Sequence, residues 1–206
     1  KHQQHLVEHS RLRDAILKQI IDDNGDVQTI AAKFLQETAH IFSLESMIYI
    51  VTKLSQTMIK PVKTKNVSKE AQDKECRKNI SIGDALKAIL MGSIDIEISK
   101  QISKTLLKAL LKRLKSPTLD KNFLDVELCC LDLLKLSLKL HGSIIDQDQH
   151  GSSKVIIRTL TSLLSHPDIN IQLQAANTFS YILPVINEKE FASTIKMLIK
   201  STHKVA

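Results

Sequence analysis

The fold follows from one stretch, Ser162-Leu163-Leu164-Ser165-His166-Pro167-Asp168-Ile169-Asn170-Ile171-Gln172-Leu173-Gln174-Ala175-Ala176. An apolar helix is predicted to end at Leu164, because the proline that follows cannot continue it. A second apolar helix then begins, with Ile171 and Ala175 four residues apart on one face. The stretch therefore predicts two helices that cross closely at a short turn.

The same pattern recurs along the chain. Each copy has Asp or Asn, then a β-branched residue, then Gln or Glu, and a small residue four positions after the β-branched one. The copies begin Asp26-Val27-Gln28, Asp125-Val126-Glu127 and Asn170-Ile171-Gln172. The second and third lie 45 residues apart, the first and second 99, so a weaker copy is expected near Cys76–Ile80. Two helices in about 40–47 residues are typical of HEAT and armadillo repeats.

We therefore predict one all-α domain, an α-solenoid of about four HEAT repeats plus a half repeat at the carboxyl end. The repeats are expected at residues 10–43, 44–93, 94–142 and 150–187, the half repeat at 188–202, and a polar surface loop at 60–72. Hydrophobic residues make up 43% of the 206 and aromatic residues 3%, so the core is expected to be Leu, Ile and Ala. Such a core suits packing of helix on helix.

Two helices are specific enough to predict their buried faces. The helix that follows Asn24-Gly25 is expected to have Asp26 as its amino-terminal cap and to bury Val27, Ile30, Ala31, Phe34, Leu35, Thr38 and Ile41. The helix from Asp125 to Leu140 is apolar on all sides but one, which is typical of a helix inside the stack. It is expected to bury Val126, Cys130, Leu133, Leu134 and Leu140.

No catalytic motif occurs in the chain, and no cofactor or metal site is expected. Five scattered glycines cannot form a phosphate-binding loop. Cys129 and Cys130 lie in an apolar helix and are interpreted as packed thiols. Three cysteines make no disulfide framework, which favours a reducing compartment, the cytoplasm and nucleus. Because no catalytic motif is present, we predict a non-enzymatic binding protein. No apolar run approaches the length of a membrane span, so no membrane partner is expected.

The net charge of +7 is concentrated in lysine stripes. Between Ile98 and Leu119 there is no acidic residue, and lysines recur on one side of a predicted helix at Lys100, Lys104, Lys108, Lys112 and Lys115. A stripe of one sign repels itself unless something negative faces it. Most of the cations are lysines rather than arginines, which favours a protein partner over nucleic acid. A second candidate stripe consists of Asp132, Lys135 and Lys139.

The last predicted helix, Glu188 to Ser201, has more apolar side chains than one neighbour can cover. They are Phe191, Ile195, Met197, Leu198 and Ile199. Because a solenoid helix pair buries its apolar face against the next repeat, these residues are predicted to contact a continuation of the same solenoid.

Four segments of the chain carry a resemblance to a known family. They are Ile16 to Leu35; Asp73-Lys74-Glu75 with Asn79-Ile80-Ser81 and Leu86-Lys87; Asp125-Val126-Glu127-Leu128; and Leu163 to Pro167 with Ile171-Gln172. In this order they resemble the first four repeats of the cullin-associated, neddylation-dissociated protein family, also called the TBP-interacting protein family. The lysine-rich residues 61–67 depart from its pattern.

The resemblance implies a regulator of cullin–RING ubiquitin ligases, which sequesters unneddylated cullin and promotes exchange of the substrate adaptor. Its expected partners are the carboxyl-terminal region of a cullin, the RING subunit and the remaining carboxyl-terminal HEAT repeats of the same protein. A second hypothesis is a transport or transcription-associated HEAT module that binds acidic protein or nucleic acid through the lysine stripe. Binding to an unneddylated cullin–RING complex and binding to random duplex DNA would distinguish the two.

Overall fold

Helices account for every regular element of the residues that the computed structural model describes, which are 2–60, 68–92, 95–117, 123–142 and 152–202. Their α-helices, in chain order, are α1 (His2–Ile20), α2 (Gly25–Thr38), α3 (Leu44–Met58), α4 (Lys69–Gly92), α5 (Ile96–Leu114), α6 (Leu124–His141), α7 (Ser152–Leu163), α8 (Ile169–Ile182) and α9 (Glu188–Thr202). Short 3-10 turns, Ala39–Ile41 and Leu183–Val185, follow α2 and α8. The all-α prediction is confirmed.

The chain divides into two compact units, residues 1–109 and 110–206, and α5 runs through the boundary. In unit 1, α1 packs on α2 and α3, and α4 packs on the same two helices. In unit 2, α7 packs on α8 and α9, while α6 packs on α8. In each unit, therefore, contacts join helices that are neighbours in the chain and also helices that are two apart.

The turn between α7 and α8 has the predicted form. The Asp168 carboxylate accepts hydrogen bonds from the backbone N–H groups of Asn170 and Ile171, which caps α8. Gln172 donates its side-chain amide to the backbone oxygen of His166 at 2.6 Å, so it ties the new helix back to the turn. Ala175 is fully buried, and the small residue therefore lies where the two helices approach.

Unit 1 contains the same local structure, displaced by 144 residues. Asn24 caps α2 as Asp168 caps α8, and Gln28 donates to the backbone oxygen of Asp22 at 2.5 Å as Gln172 does to that of His166. The helices α2 and α8, the 3-10 turns after them, and α3 and α9 all begin and end at positions 144 apart. Residues 22–58 and 166–202 are thus two copies of one arrangement.

Two expectations for α2 are wrong. Its cap is Asn24, whose side chain accepts a hydrogen bond from the backbone N–H of Asp26, so Asp26 lies in the first turn instead. Ile30, Phe34 and Ile41 are exposed, whereas Gln28 is buried. Besides its bond to the turn, Gln28 accepts a hydrogen bond from the Ser81 hydroxyl of α4 at 2.5 Å. These bonds place the polar side chain at the helix contact and leave the apolar ones outside.

The buried face of α6 agrees with the prediction except at its end. Val126, Cys130, Leu133 and Leu134 are buried, as expected, but Leu140 is 43% exposed. The buried side of the last turn passes through Leu138 and His141. Successive residues point about 100° apart around a helix. With Leu138 and His141 on the buried side, Lys139 and Leu140 between them lie on the exposed side.

The loop predicted at 60–72 is shorter than expected at its carboxyl end. Lys69 already begins α4, and Ser68 accepts a hydrogen bond at its hydroxyl from the backbone N–H of Ala71. This bond satisfies one of the donors that the start of a helix leaves open, which is why the helix extends into a polar stretch. Residues 61–67 lie outside the described residues.

Candidate protein-binding surfaces

The lysine stripe of α5 lies on the exposed side of an amphipathic helix. Ile102, Leu106, Leu110 and Leu114 are buried on one side, and Lys104, Lys108, Lys112 and Lys115 are exposed on the other. Asp95 caps the helix, since its carboxylate accepts hydrogen bonds from the N–H groups of Glu97 and Ile98. Lys112 lies in the last turn of the helix, where the helix dipole favours positive charge.

The charge of this stripe is compensated only at its amino-terminal end. The ammonium of Lys100 lies 3.9 Å from a carboxylate oxygen of Glu97, and this lysine is half-buried. Among the residues that the structure describes, no ion pair is formed by Lys104, Lys108, Lys112 or Lys115. Four cations on successive turns form a continuous positive surface, which raises the local concentration of anionic groups.

The second candidate stripe divides between packing and surface. The Lys135 ammonium lies 3.3 Å from a carboxylate oxygen of Asp132, and the Gln174 side-chain amide of α8 donates to the same oxygen. These two residues are therefore engaged in the contact between α6 and α8. Lys139, one turn further along, is exposed. Of the three, only Lys139 adds a fully exposed cation to the surface of unit 2.

The apolar face predicted on the last helix is open in unit 2. Phe191 is 42% and Ile199 52% exposed, while Ile195, Met197 and Leu198 are half-buried. The equivalent positions of α3, 144 residues earlier, are closed: Met47, which corresponds to Phe191, is 1% exposed, and Ser55, which corresponds to Ile199, is 4% exposed.

The difference between α3 and α9 has an evident cause in unit 1. There α4 packs against both α2 and α3, and Met47, Leu54 and Met58 of α3 are buried. Within the described part of unit 2, no helix follows α9 to take the place of α4. The described residues of unit 2 thus give α9 no counterpart of the contact between α3 and α4.

The cysteines are placed as structural residues. Cys129 and Cys130 are buried in α6, and Cys76 is buried in α4. Burial raises the pKa of the Cys130 thiol, and the neighbouring Cys129 acts in the same direction. A thiol kept protonated in this way is a poor nucleophile and a poor metal ligand at neutral pH.

A cavity of about 500 Å³ between α7 and α9 was not indicated by the sequence. We call it the α7–α9 pocket. Its lining includes Lys154 and Arg158, one turn apart on α7, and Lys189 of α9, which lies too far along the chain to share a pattern with them. Contact between α7 and α9 brings them together.

The described ranges contain neither a candidate metal site nor a candidate membrane span. No group of three or more His, Cys, Asp or Glu side chains there could hold a metal ion. None of the helices in those ranges is both long enough and apolar enough to cross a lipid bilayer.

Comparison with known proteins yields no relative for this chain: no family model, no curated protein and no solved structure matches it.

Proposed function

We propose that the chain is a non-enzymatic HEAT-repeat scaffold, equivalent to the amino-terminal end of a cullin-binding regulator of cullin–RING ubiquitin ligases. The support for HEAT repeats is the alternating helix packing in each unit and the copy of residues 22–58 at 166–202. A separation of 144 residues equals three steps of about 48, close to the period of this repeat class. About four repeats and a half would fill the chain. The cullin partner comes from the resemblance alone.

The observation that carries a binding function is the α5 stripe. Its lysines lie on one exposed face and have an apolar face behind them, so the charges are held in a fixed row by a packed helix. Complementary charge across an interface mainly increases the rate of association and fixes the register of binding. In this proposal the α5 stripe contacts an acidic surface of the cullin–RING core.

Reversal of three lysines tests the α5 stripe. The variant Lys104→Glu, Lys108→Glu, Lys112→Glu should associate at least about tenfold more slowly with an immobilised unneddylated cullin–RING complex at low salt, because attraction becomes repulsion. The difference should shrink as salt is added, since exposed charges are screened over about 8–10 Å at physiological ionic strength. Biolayer interferometry measures both rates, and circular dichroism checks that the helices are retained.

The matched control carries the same change of charge on other helices, as Lys18→Glu, Lys33→Glu, Lys69→Glu, all exposed residues. It should retain most of the association rate. Equal losses in both variants would reduce the effect to net charge and remove the stripe from the proposal. Absence of any cullin binding, combined with tight and strongly salt-dependent binding of random duplex DNA, would favour the transport or transcription-associated alternative.

The open face of α9 is proposed as the junction with the remaining HEAT repeats of such a regulator. Coexpression of this chain with a separate polypeptide carrying the later repeats of a family protein should give a copurifying complex. Phe191→Asp should abolish copurification, because it places a charge in an apolar contact, yet change the stability of the chain alone by less than about 1 kcal/mol.

The equivalent change in unit 1 is the control for Phe191. Met47→Asp buries a carboxylate between α3 and α4 and should unfold unit 1. Copurification that survives Phe191→Asp would show that this face is not the junction.

A further inference from the structure

The α7–α9 pocket lies in unit 2, where the amino-terminal half of α9 packs beside α7. Its apolar lining consists of Ile157 and Met197, and Ser193 of α9 lines it as well. Ser153 of α7 donates its hydroxyl to a carboxylate oxygen of Glu190 at 2.9 Å, and this hydrogen bond joins α7 to α9 beside the pocket. A volume of about 500 Å³ is large enough for a small organic molecule or a large side chain.

The equivalent positions of unit 1 hold different side chains from those that line the α7–α9 pocket. Tyr49 occupies the position equivalent to Ser193, and its ring lies under the guanidinium of Arg13, 4.0 Å from the ring centroid. The Lys53 ammonium lies 5.4 Å from the same centroid. With the same offset of 144 residues continued into α1 and α7, these three positions hold Ser193, Ile157 and Met197 in unit 2. An aromatic residue and two cations are thus replaced by a serine and two apolar residues.

The groove between α1 and α3 in unit 1 is displaced accordingly. Its cavity of about 440 Å³ begins at Tyr49 and extends toward Leu17, Thr57 and Lys60. The end equivalent to the α7–α9 pocket is occupied by the stacked Tyr49 and Arg13. Where unit 2 has the small Ser193, unit 1 thus has an aromatic side chain stacked with a cation.

The charged residues that line each cavity are mainly basic, Lys18, Lys53 and Lys60 with Asp14 in unit 1, but the charged positions differ. Lys154, Arg158 and Lys189 are all exposed at the pocket of unit 2, with Glu190 as the one acid of its lining. The equivalent positions of unit 1, in the same order, are Ser10, Asp14, Glu45 and Ser46. At these four positions, three cations and one acid therefore correspond to two acids and no cation. The three cations give the lining of the α7–α9 pocket a positive charge, which suits an anion.

We propose that the α7–α9 pocket binds an organic anion: a phosphate or carboxylate group held by Lys154, Arg158 and Lys189, attached to an aromatic or apolar body that lies on Ile157 and Met197. The guanidinium offers paired donors that match phosphate and carboxylate oxygens, and the two ammonium groups add charge. The body lies beside Ser193, where unit 1 has Tyr49, and its burial against the two apolar side chains adds affinity. This site is independent of the α5 stripe.

The probe for this proposal is phenyl phosphate, titrated into the intact chain with isotope-labelled Ile and Met methyl groups. The NMR signals of Ile157 and Met197 should shift and saturate. Inorganic phosphate, which lacks the ring, and phenol, which lacks the charge, should each bind at least about tenfold more weakly, since each loses one of the two contributions. Equal affinity of inorganic phosphate and phenyl phosphate would overturn the proposal.

Two variants assign the shifts to the pocket. Lys154→Gln with Arg158→Gln should weaken phenyl phosphate binding at least about tenfold, because two charge-assisted contacts are lost. Ser193→Tyr should prevent binding by restoring the ring of unit 1. The matched control, Lys33→Gln with Lys69→Gln, removes two exposed charges from α2 and α4 and should leave the affinity unchanged. If it weakens binding as much as the pocket variant, the contact is non-specific ion pairing and the proposal is wrong.

The two sources of such an anion give different results with a longer probe. A short peptide with phosphotyrosine at its centre should shift the same methyl signals if the anion belongs to a partner protein. A peptide that leaves them unchanged, while phenyl phosphate shifts them, identifies a free small molecule as the ligand.

Discussion

Leu134→Ala should lower the free energy of unfolding by about 2–5 kcal/mol. Leu134 is fully buried in α6, the helix that packs on α8 in unit 2. Removing three carbon atoms there loses apolar burial and leaves a cavity that the surrounding helices only partly fill. Urea unfolding followed by circular dichroism measures the change as a lower midpoint at an unchanged slope.

Leu140→Ala is the matched control for this prediction. It makes the same substitution on the same helix, six residues further along, at a side chain that is 43% exposed. Its cost should be below about 1 kcal/mol, because surface substitutions leave no enclosed cavity. Similar losses for the two variants, or a loss at Leu134 below about half a kcal/mol, would mean that α6 does not bury the side described.

Gly92→Ala should destabilise unit 1 by about 1–3 kcal/mol, in spite of the better helix propensity of alanine. A Cβ atom at Gly92 would lie 2.7 Å from the backbone oxygen of Gln36 and 3.5 Å from the Cβ of Ala39. The first contact is with backbone, which cannot rotate away as a side chain can. The end of α4 must therefore move away from α2, against which it packs. Thermal unfolding should show a lower Tm.

Gly25→Ala is the matched control, because the same substitution is expected not to destabilise the protein at this position. Gly25 begins α2, and a Cβ atom there would have no other atom within 4 Å. Alanine restricts the unfolded chain more than glycine does, so stability should stay the same or rise by up to about 1 kcal/mol. A rise in Tm for Gly92→Ala, or equal falls for both variants, would contradict the close approach of α4 to α2.

Much of the local structure follows from patterns within the chain. The proline turn at 166–168 and the repeated Asp/Asn, β-branched, Gln/Glu pattern located the helix pairs, because caps, breakers and the 3.6-residue period act over a few residues. The alternation of Lys104, Lys108 and Lys112 with Ile102, Leu106 and Leu110 predicted the two faces of α5 correctly. A helix with lysines on one face and apolar side chains on the other can pack only with its apolar face inward.

The candidate sites were less predictable, since each depends on a neighbour. The exposure of Phe191 was expected from the number of apolar residues on α9, but its match to the covered Met47 required both copies to be compared in space. The α7–α9 pocket joins Lys154 and Lys189, which lie 35 residues apart in the chain and carry no shared pattern. Only the contact of their helices makes them one site.

The helix α2 shows most clearly which features follow from the sequence and which depend on its neighbours in the fold. Its existence and its length follow from short-range chemistry: Asn24 caps it, and the apolar residues after Gly25 recur at helical spacing. Its rotation about its own axis does not. The apolar residues of α2 predicted a buried face that includes Ile30 and Phe34, and the structure leaves both exposed. The choice was made by Gln28, whose amide has partners in the backbone of Asp22 and the hydroxyl of Ser81. Because both ends of the amide are paired, Gln28 is buried without the cost of an unsatisfied polar group, and Ile30, on the other side of α2, remains in solvent.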